Sequence, residues 1–154
     1  MAAELNLQAE VAEAAAAELP LIVEPTVATG EVLRLLQMQR SGSVLICRGE
    51  TLLGIFTERD ALKLMATGAD LTRPIESVMV RNPATVRPAA TIGEAIQVMS
   101  KGGYRRLPIV DENNRLVGVI KVSNIISYFV EHFPQAVFNL PPQPNVVMSE
   151  REGA

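Results

Sequence analysis

A chain of 154 residues, 48% hydrophobic and 20% charged, carries enough apolar surface for a packed core, which excludes global disorder. A formal charge of −3 and a pI near 5.2 give no general attraction to nucleic acid or anionic lipid. No apolar run approaches the ~18 residues of a membrane span, and a single cysteine, Cys47, precludes an internal disulfide. The opening stretch carries Glu4, Glu10, Glu13 and Glu18 and no basic residue, unlike a secretory leader. It reads as an Ala-rich helical extension over residues 1–18 of a cytoplasmic protein.

Residues 19–67 form the first structural unit. Gly30–Arg40 reads as a helix, Ser43–Arg48 and Thr51–Phe56 as paired strands, and Thr57–Ala66 as a second helix. Residues 68–76, with Gly68 and Pro74, read as a linker. The unit over 77–131 repeats the first. Gly30-Glu31-Val32-Leu33 lies over Gly93-Glu94-Ala95-Ile96 at an offset of 63, and Val44–Cys47 lies over Leu107–Val110. Beyond one extra turn residue the offset becomes 64, where Gly54-Ile55-Phe56 meets Gly118-Val119-Ile120. In this copy Ile92, Ala95, Ile96 and Met99 make one helix face, with Thr91 and Glu94 spaced as a capping box. Gly102-Gly103 ends that helix. Arg106–Asp111 and Arg115–Ile120 read as a hairpin, and Asn124–Val130 as a helix. Residues 132–154 are Pro-rich and read as an extended arm. A copy of about 55 residues buries little surface alone, so the two are expected to pack sheet to sheet with pseudo-twofold symmetry.

Catalytic residues are scarce. His132 is the one histidine and has no paired nucleophile in sequence. Cys47 sits mid-strand among apolar neighbours, the setting of a small buried side chain. One Cys and one His exclude a zinc or iron–sulfur site of ordinary type. The informative segment is Gly54-Ile-Phe-Thr-Glu-Arg-Asp60, where a strand runs into a helix. Thr57 and Asp60 have capping-box spacing. The same geometry suits a phosphate at the helix N-terminus and a ribose diol on the carboxylate. Spacing leaves both readings open. Lys101, Arg105 and Arg106 form a basic cluster that fits a phosphate group better than a duplex backbone.

The tandem repeat, with its Gly-h-x-Thr-x-x-Asp segment at 54–60, Arg105-Arg106-Leu-Pro-Ile-Val-Asp111 and the Met79-x-x-x-Pro83 lead-in, resembles a pair of CBS domains, a Bateman module. The resemblance covers residues 20–131. It implies an α+β fold of two β-α-β-β-α repeats with two clefts between them, each suited to an adenosine-containing ligand. By that resemblance the first cleft uses Ile55, Met79, Pro83 and Ala84 beside the base. Thr57, Tyr104, Arg105 and Arg106 would lie near phosphate, and Asp60 on the ribose. The second cleft would use Val119, Lys121, Ser123, Asn124 and Ser43. It departs from the pattern, with Lys121 in place of Thr and Asn124 in place of Asp, and a neutral amide is the weaker acceptor.

These readings imply a non-enzymatic regulatory module that binds AMP, ADP or ATP as a ligand, with no obligatory cofactor and no metal. A homodimer and an effector protein are expected as partners, with neither nucleic acid nor membrane. The alternative is a structural dimerisation module for protein–protein interaction.

Overall fold

The structure is a computed structural model that describes residues 8–15 and 20–132. The arm over 133–154 and most of the extension over 1–18 lie outside the described residues, and α1 spans Val11–Ala14. In the first repeat the elements are β1 (Ile22–Val23), α2 (Thr29–Gln39), β2 (Ser43–Arg48), β3 (Thr51–Thr57) and α3 (Glu58–Ala66). A 3-10 turn at Ile75–Ser77 and β4 (Val80–Arg81) follow. The second repeat contributes α4 (Ile92–Gly102), β5 (Arg106–Val110), β6 (Leu116–Lys121) and α5 (Val122–His132).

The local rules read from sequence account for the ends of these elements. Thr57 caps α3, its hydroxyl accepting from the Asp60 amide while Asp60 Oδ2 accepts from the Thr57 amide at 2.9 Å. Thr91 accepts from the Glu94 amide at 3.1 Å, and Gly103 closes α4 at φ 69°. The left-handed conformation costs glycine little, which is why it stops a helix there.

One sheet has the order β1-β2-β3-β4, with β1 parallel to β2 and the other pairs antiparallel. In the other, β5 pairs antiparallel with β6, and Val86 makes a parallel bridge to Ile109. A register shift between Ile46 and Cys47 recurs between Ile109 and Val110, the same place in each repeat. The unbroken apolar run Val44-Leu-Ile-Cys47 has a direct cause. Val44 and Ile46 enter the core beneath α2, while Leu45 and Cys47 face the other repeat. A strand covered on both faces loses its polar alternation.

Each core is completed from outside its own contiguous repeat. Val11 is fully buried among Ile92, Leu107 and Ile120 of the second repeat. Its amide donates to the Ala90 carbonyl at 2.8 Å, and the Ile92 amide donates to the Ala9 carbonyl at 2.8 Å. The symmetric pair joins the segment after α3 to the first repeat: Ile75 donates to Val27 at 2.7 Å and Thr29 to Arg73 at 2.8 Å. Ile75 is fully buried with Val32, Val44 and Phe56. The stretch read as a linker therefore forms one wall of the first core. Between the repeats lies a third cluster of Leu45, Cys47, Leu52 and Val110, flanked by Ile55, Leu116 and Val119. The hairpin tips lock this contact, with the Leu52 amide on the Asn114 carbonyl at 3.1 Å and the Leu116 amide on the Glu50 carbonyl at 2.9 Å.

Candidate functional site

A cavity of about 620 Å³ opens between the repeats where β2 and β5 begin. Its floor is apolar, built from Leu45 and Ile55 of the first repeat and their counterparts Pro108 and Val119 of the second. Ser43 and Arg106, also counterparts at the strand starts, both line it. The remaining walls are asymmetric. Pro20, Leu21, Gln39, Arg40 and Ser41 come from the first repeat, and Lys121 ends β6 from the second. Three cations thus line a cavity whose lining, among the described residues, includes no acidic side chain.

The structure brings together Ser43, Val119 and Lys121 of the second sequence-derived set with Ile55 and Arg106 of the first. Asn124 supports this side from beneath, its Oδ1 accepting from the Lys121 amide at 2.9 Å. Ser123 is exposed on the first turn of α5 and does not line the cavity. Among the first set, Thr57 and Asp60 are engaged with each other. Asp60 Oδ2 accepts from both the amide and the hydroxyl of Thr57, each at 2.9 Å. Met79 is buried in the first core, where its Sδ covers Gly54, and a Cβ on Gly54 would fall 2.7 Å from the Val80 carbonyl oxygen. The motif glycine leaves room for the Met79 side chain and the Val80 carbonyl beside it. Pro83 is half-buried, and Ala84 packs on the second core. Arg105 is exposed. Tyr104 covers Gly102 and lines an apolar groove between α4 and α5 rather than the cavity.

Arg40 and its neighbours Gln39 and Pro20 are lining residues that motif reading does not reach. Arg40 caps α2 in the left-handed region, with φ 49° and ψ 38°. An arginine in that conformation is uncommon. The offset of 63 lays it on Gly103, so a signal existed: a long cation occupies the place where the other repeat uses glycine. A cation at a helix C-terminus is also favoured by the helix dipole. Cys47, within the interface cluster, has its thiol pushed above the ordinary range by burial, with Glu24 adding to the shift. It stays neutral and takes no part in the cavity.

A CBS-domain family model matches residues 75–131. The CBS domain-containing protein YhcV of Bacillus subtilis is 33% identical over 104 residues, which cover 67% of this chain and 74% of that protein. The chain belongs to the CBS-domain family. An uncharacterized 17.7 kDa protein of Acidianus ambivalens is 28% identical over 105 residues, and there the match spans 68% of this chain and 63% of the relative. Among solved structures, the CBS domain protein PAE2072 from Pyrobaculum aerophilum, complexed with AMP, superposes with a TM-score of 0.69 at 24% identity. That superposition covers 75% of this CBS chain and 89% of the other. The fold is a CBS pair.

Proposed function

We propose that this CBS pair is a regulatory module that binds one adenine nucleotide (AMP, ADP or ATP) between its repeats. Occupancy then changes the angle between the repeats or the affinity for a partner. The observation that carries this reading is the chemistry of the cavity. An apolar floor of Leu45, Ile55, Pro108 and Val119 suits a planar base, and Arg40, Arg106 and Lys121 suit phosphate. Its volume of about 620 Å³ falls within the roughly 300–1,000 Å³ of small-molecule sites. Ser41 and Ser43 supply hydroxyls between the two regions. The AMP complex of PAE2072 supports the ligand class. On this reading Thr57, Asp60 and Asn124 hold the strand-to-helix turns rather than the ligand.

A signalling role is favoured over a substrate role because, among the described residues, no His, Cys, Asp or Glu lines the cavity to act as a general base. No group of three potential metal ligands occurs among the described residues, and no helix there is long and apolar enough to cross a membrane. A ligand shifts an equilibrium only through different affinities for its two states. A cavity floored by the inter-repeat contact meets that requirement, since rotation of the repeats changes the floor itself. Thermal-shift titration with AMP, ADP, ATP, S-adenosylmethionine and NAD tests the proposal. Stabilisation by about 2.7 kcal/mol is expected at 100 times Kd for the phosphorylated ligands. The cationic S-adenosylmethionine stabilising more than AMP, or no ligand stabilising at all, overturns it.

A second reading, self-association, is favoured by exposed apolar residues on the helices and is compatible with the first. Leu62 is 67% and Met65 55% exposed on α3, and Ile126 is 58% exposed on α5. An apolar groove of about 350 Å³ lies beside Ile126, between Ile96 and Phe129. A homodimer joined through these helices covers such faces.

A further inference from the structure

Arg106 belongs by sequence to the second repeat, yet its guanidinium lies against Gly42 of the first. A Cβ placed on Gly42 would fall 2.9 Å from Nη2 and 3.0 Å from Cζ, and closer still to Nη1. Gly42 is absent from the positive-φ glycines, which are Gly49, Gly68 and Gly103, so its backbone does not demand glycine. Its carbonyl accepts from the Glu58 amide at 3.1 Å, which fixes the main chain at the start of α3. The missing side chain is therefore the property used. It leaves a notch, flanked by the cavity residues Ser41 and Ser43, into which a guanidinium fits.

Two further observations point to an anionic ligand at this guanidinium. Arg106 is half-buried, and it makes no ion pair among the described residues. It also shares its cavity with Arg40 and Lys121 and, among the described residues, with no acidic lining residue. A planar guanidinium offers paired donors suited to phosphate oxygens, and it does so only when its plane is held. The corresponding position in the second repeat is Arg105, which is exposed, so the notch exists on one side alone.

We infer that Gly42 is a positioning residue. It seats the Arg106 guanidinium in the cavity and thereby sets the preference for phosphorylated over unphosphorylated adenosine ligands. The inference rests on the adenine-nucleotide reading above. Gly42→Ala suits the test because its Cβ meets the far end of a flexible side chain, so the guanidinium yields while the backbone stays. Calorimetry with adenosine and AMP on the full chain, Gly42→Ala, Arg106→Ala and the double variant reads the effect. Wild type binds AMP more tightly than adenosine. Gly42→Ala and Arg106→Ala each lose AMP affinity by about 10- to 150-fold and leave adenosine affinity unchanged. The double variant loses no more than either, because both substitutions act on one contact.

If Gly42→Ala keeps the AMP preference while Arg106→Ala loses it, Gly42 does not position the arginine, and the nucleotide reading stands. If wild type binds adenosine and AMP equally, or binds neither, the nucleotide reading itself falls and takes this inference with it. The double variant also guards against a folding artefact, since it removes the guanidinium that supplies the three atoms nearest an alanine Cβ at position 42. A double variant that fails to fold means that the backbone requires Gly42, which overturns the inference.

Discussion

Ile75→Ala separates a connecting segment from a structural one. Ile75 lies in a three-residue 3-10 turn, a location where truncation is ordinarily silent, within about 0.5 kcal/mol. In the structure its side chain is fully buried against Val32, Val44 and Phe56. Its amide bonds to Val27 at 2.7 Å, which holds the truncated site in place and limits collapse around the void. Three carbons are removed, worth about 2.4 kcal/mol at roughly 0.8 per methylene. The residual cavity brings the cost to about 3–4 kcal/mol, inside the roughly 2–5 observed for such truncations. With a urea slope of about 1–3 kcal/mol/M, the midpoint should fall by roughly 1–4 M. Urea unfolding followed by circular dichroism reads this, with the exposed neighbour variant Ser77→Ala as control. A midpoint within experimental error of wild type refutes the packing argument for the whole segment between the repeats.

Asp60→Ala removes the reciprocal half of the α3 capping box, leaving the Thr57 cap, and should lower stability by about 0.5–1.5 kcal/mol in thermal unfolding while leaving AMP affinity unchanged; an affinity loss of about tenfold or more would place the ribose on Asp60. Cys47 gives a pH signature. Burial raises the thiol pKa in the folded state above the ordinary 9.0, so above that pH the unfolded chain releases a proton that the folded chain keeps. Stability should therefore fall as pH rises beyond about 9, more steeply than for Cys47→Val, and parallel pH profiles would contradict the assignment. Leu62→Asp with Ile126→Asp should convert a dimer to a monomer in sedimentation velocity without lowering AMP affinity; a wild-type chain that is monomeric at micromolar concentration contradicts the interface.

The elements were legible because each is set by nearby residues. Thr57 with Asp60 and Thr91 with Glu94 mark helix starts, and Gly103 marks a stop. The fully apolar Val44–Cys47 run announces a strand buried on both faces. The internal repeat then supplied the tertiary arrangement, since two copies too small to stand alone must cover each other. The cross-packing of Val11 and Ile75 is not visible in the same way. Each is a single apolar residue in a short stretch without period, and its partners lie far along the chain, from Ala90 to Ile120 for Val11 and from Val27 to Phe56 for Ile75. Yet an offset of 64 lays Val11 on Ile75, and extending the repeat that far toward the N-terminus identifies the two segments as equivalent.

Residues of both sequence-derived clefts meet in one cavity. Motif matching favoured the Thr57/Asp60 cleft because that cleft carries the carboxylate and the adjacent arginines. Three-dimensional placement redistributes those charges. Asp60 Oδ2 turns inward to the cap, Arg105 stays exposed, and Arg106 crosses to Gly42 and lines the cavity beside Lys121. Arg40, at a helix end that predicts only termination, supplies a third cation through its left-handed backbone. None of these movements is encoded by spacing along one repeat, because each depends on what the opposite repeat lacks. Gly42 lacks a side chain where the second repeat has Arg105, and Gly103 lacks one where the first has Arg40. The departures from internal symmetry concentrate positive charge in one cavity. A perfectly symmetric pair would place equal charge in two, and on the proposed reading the asymmetry suits a single anionic ligand.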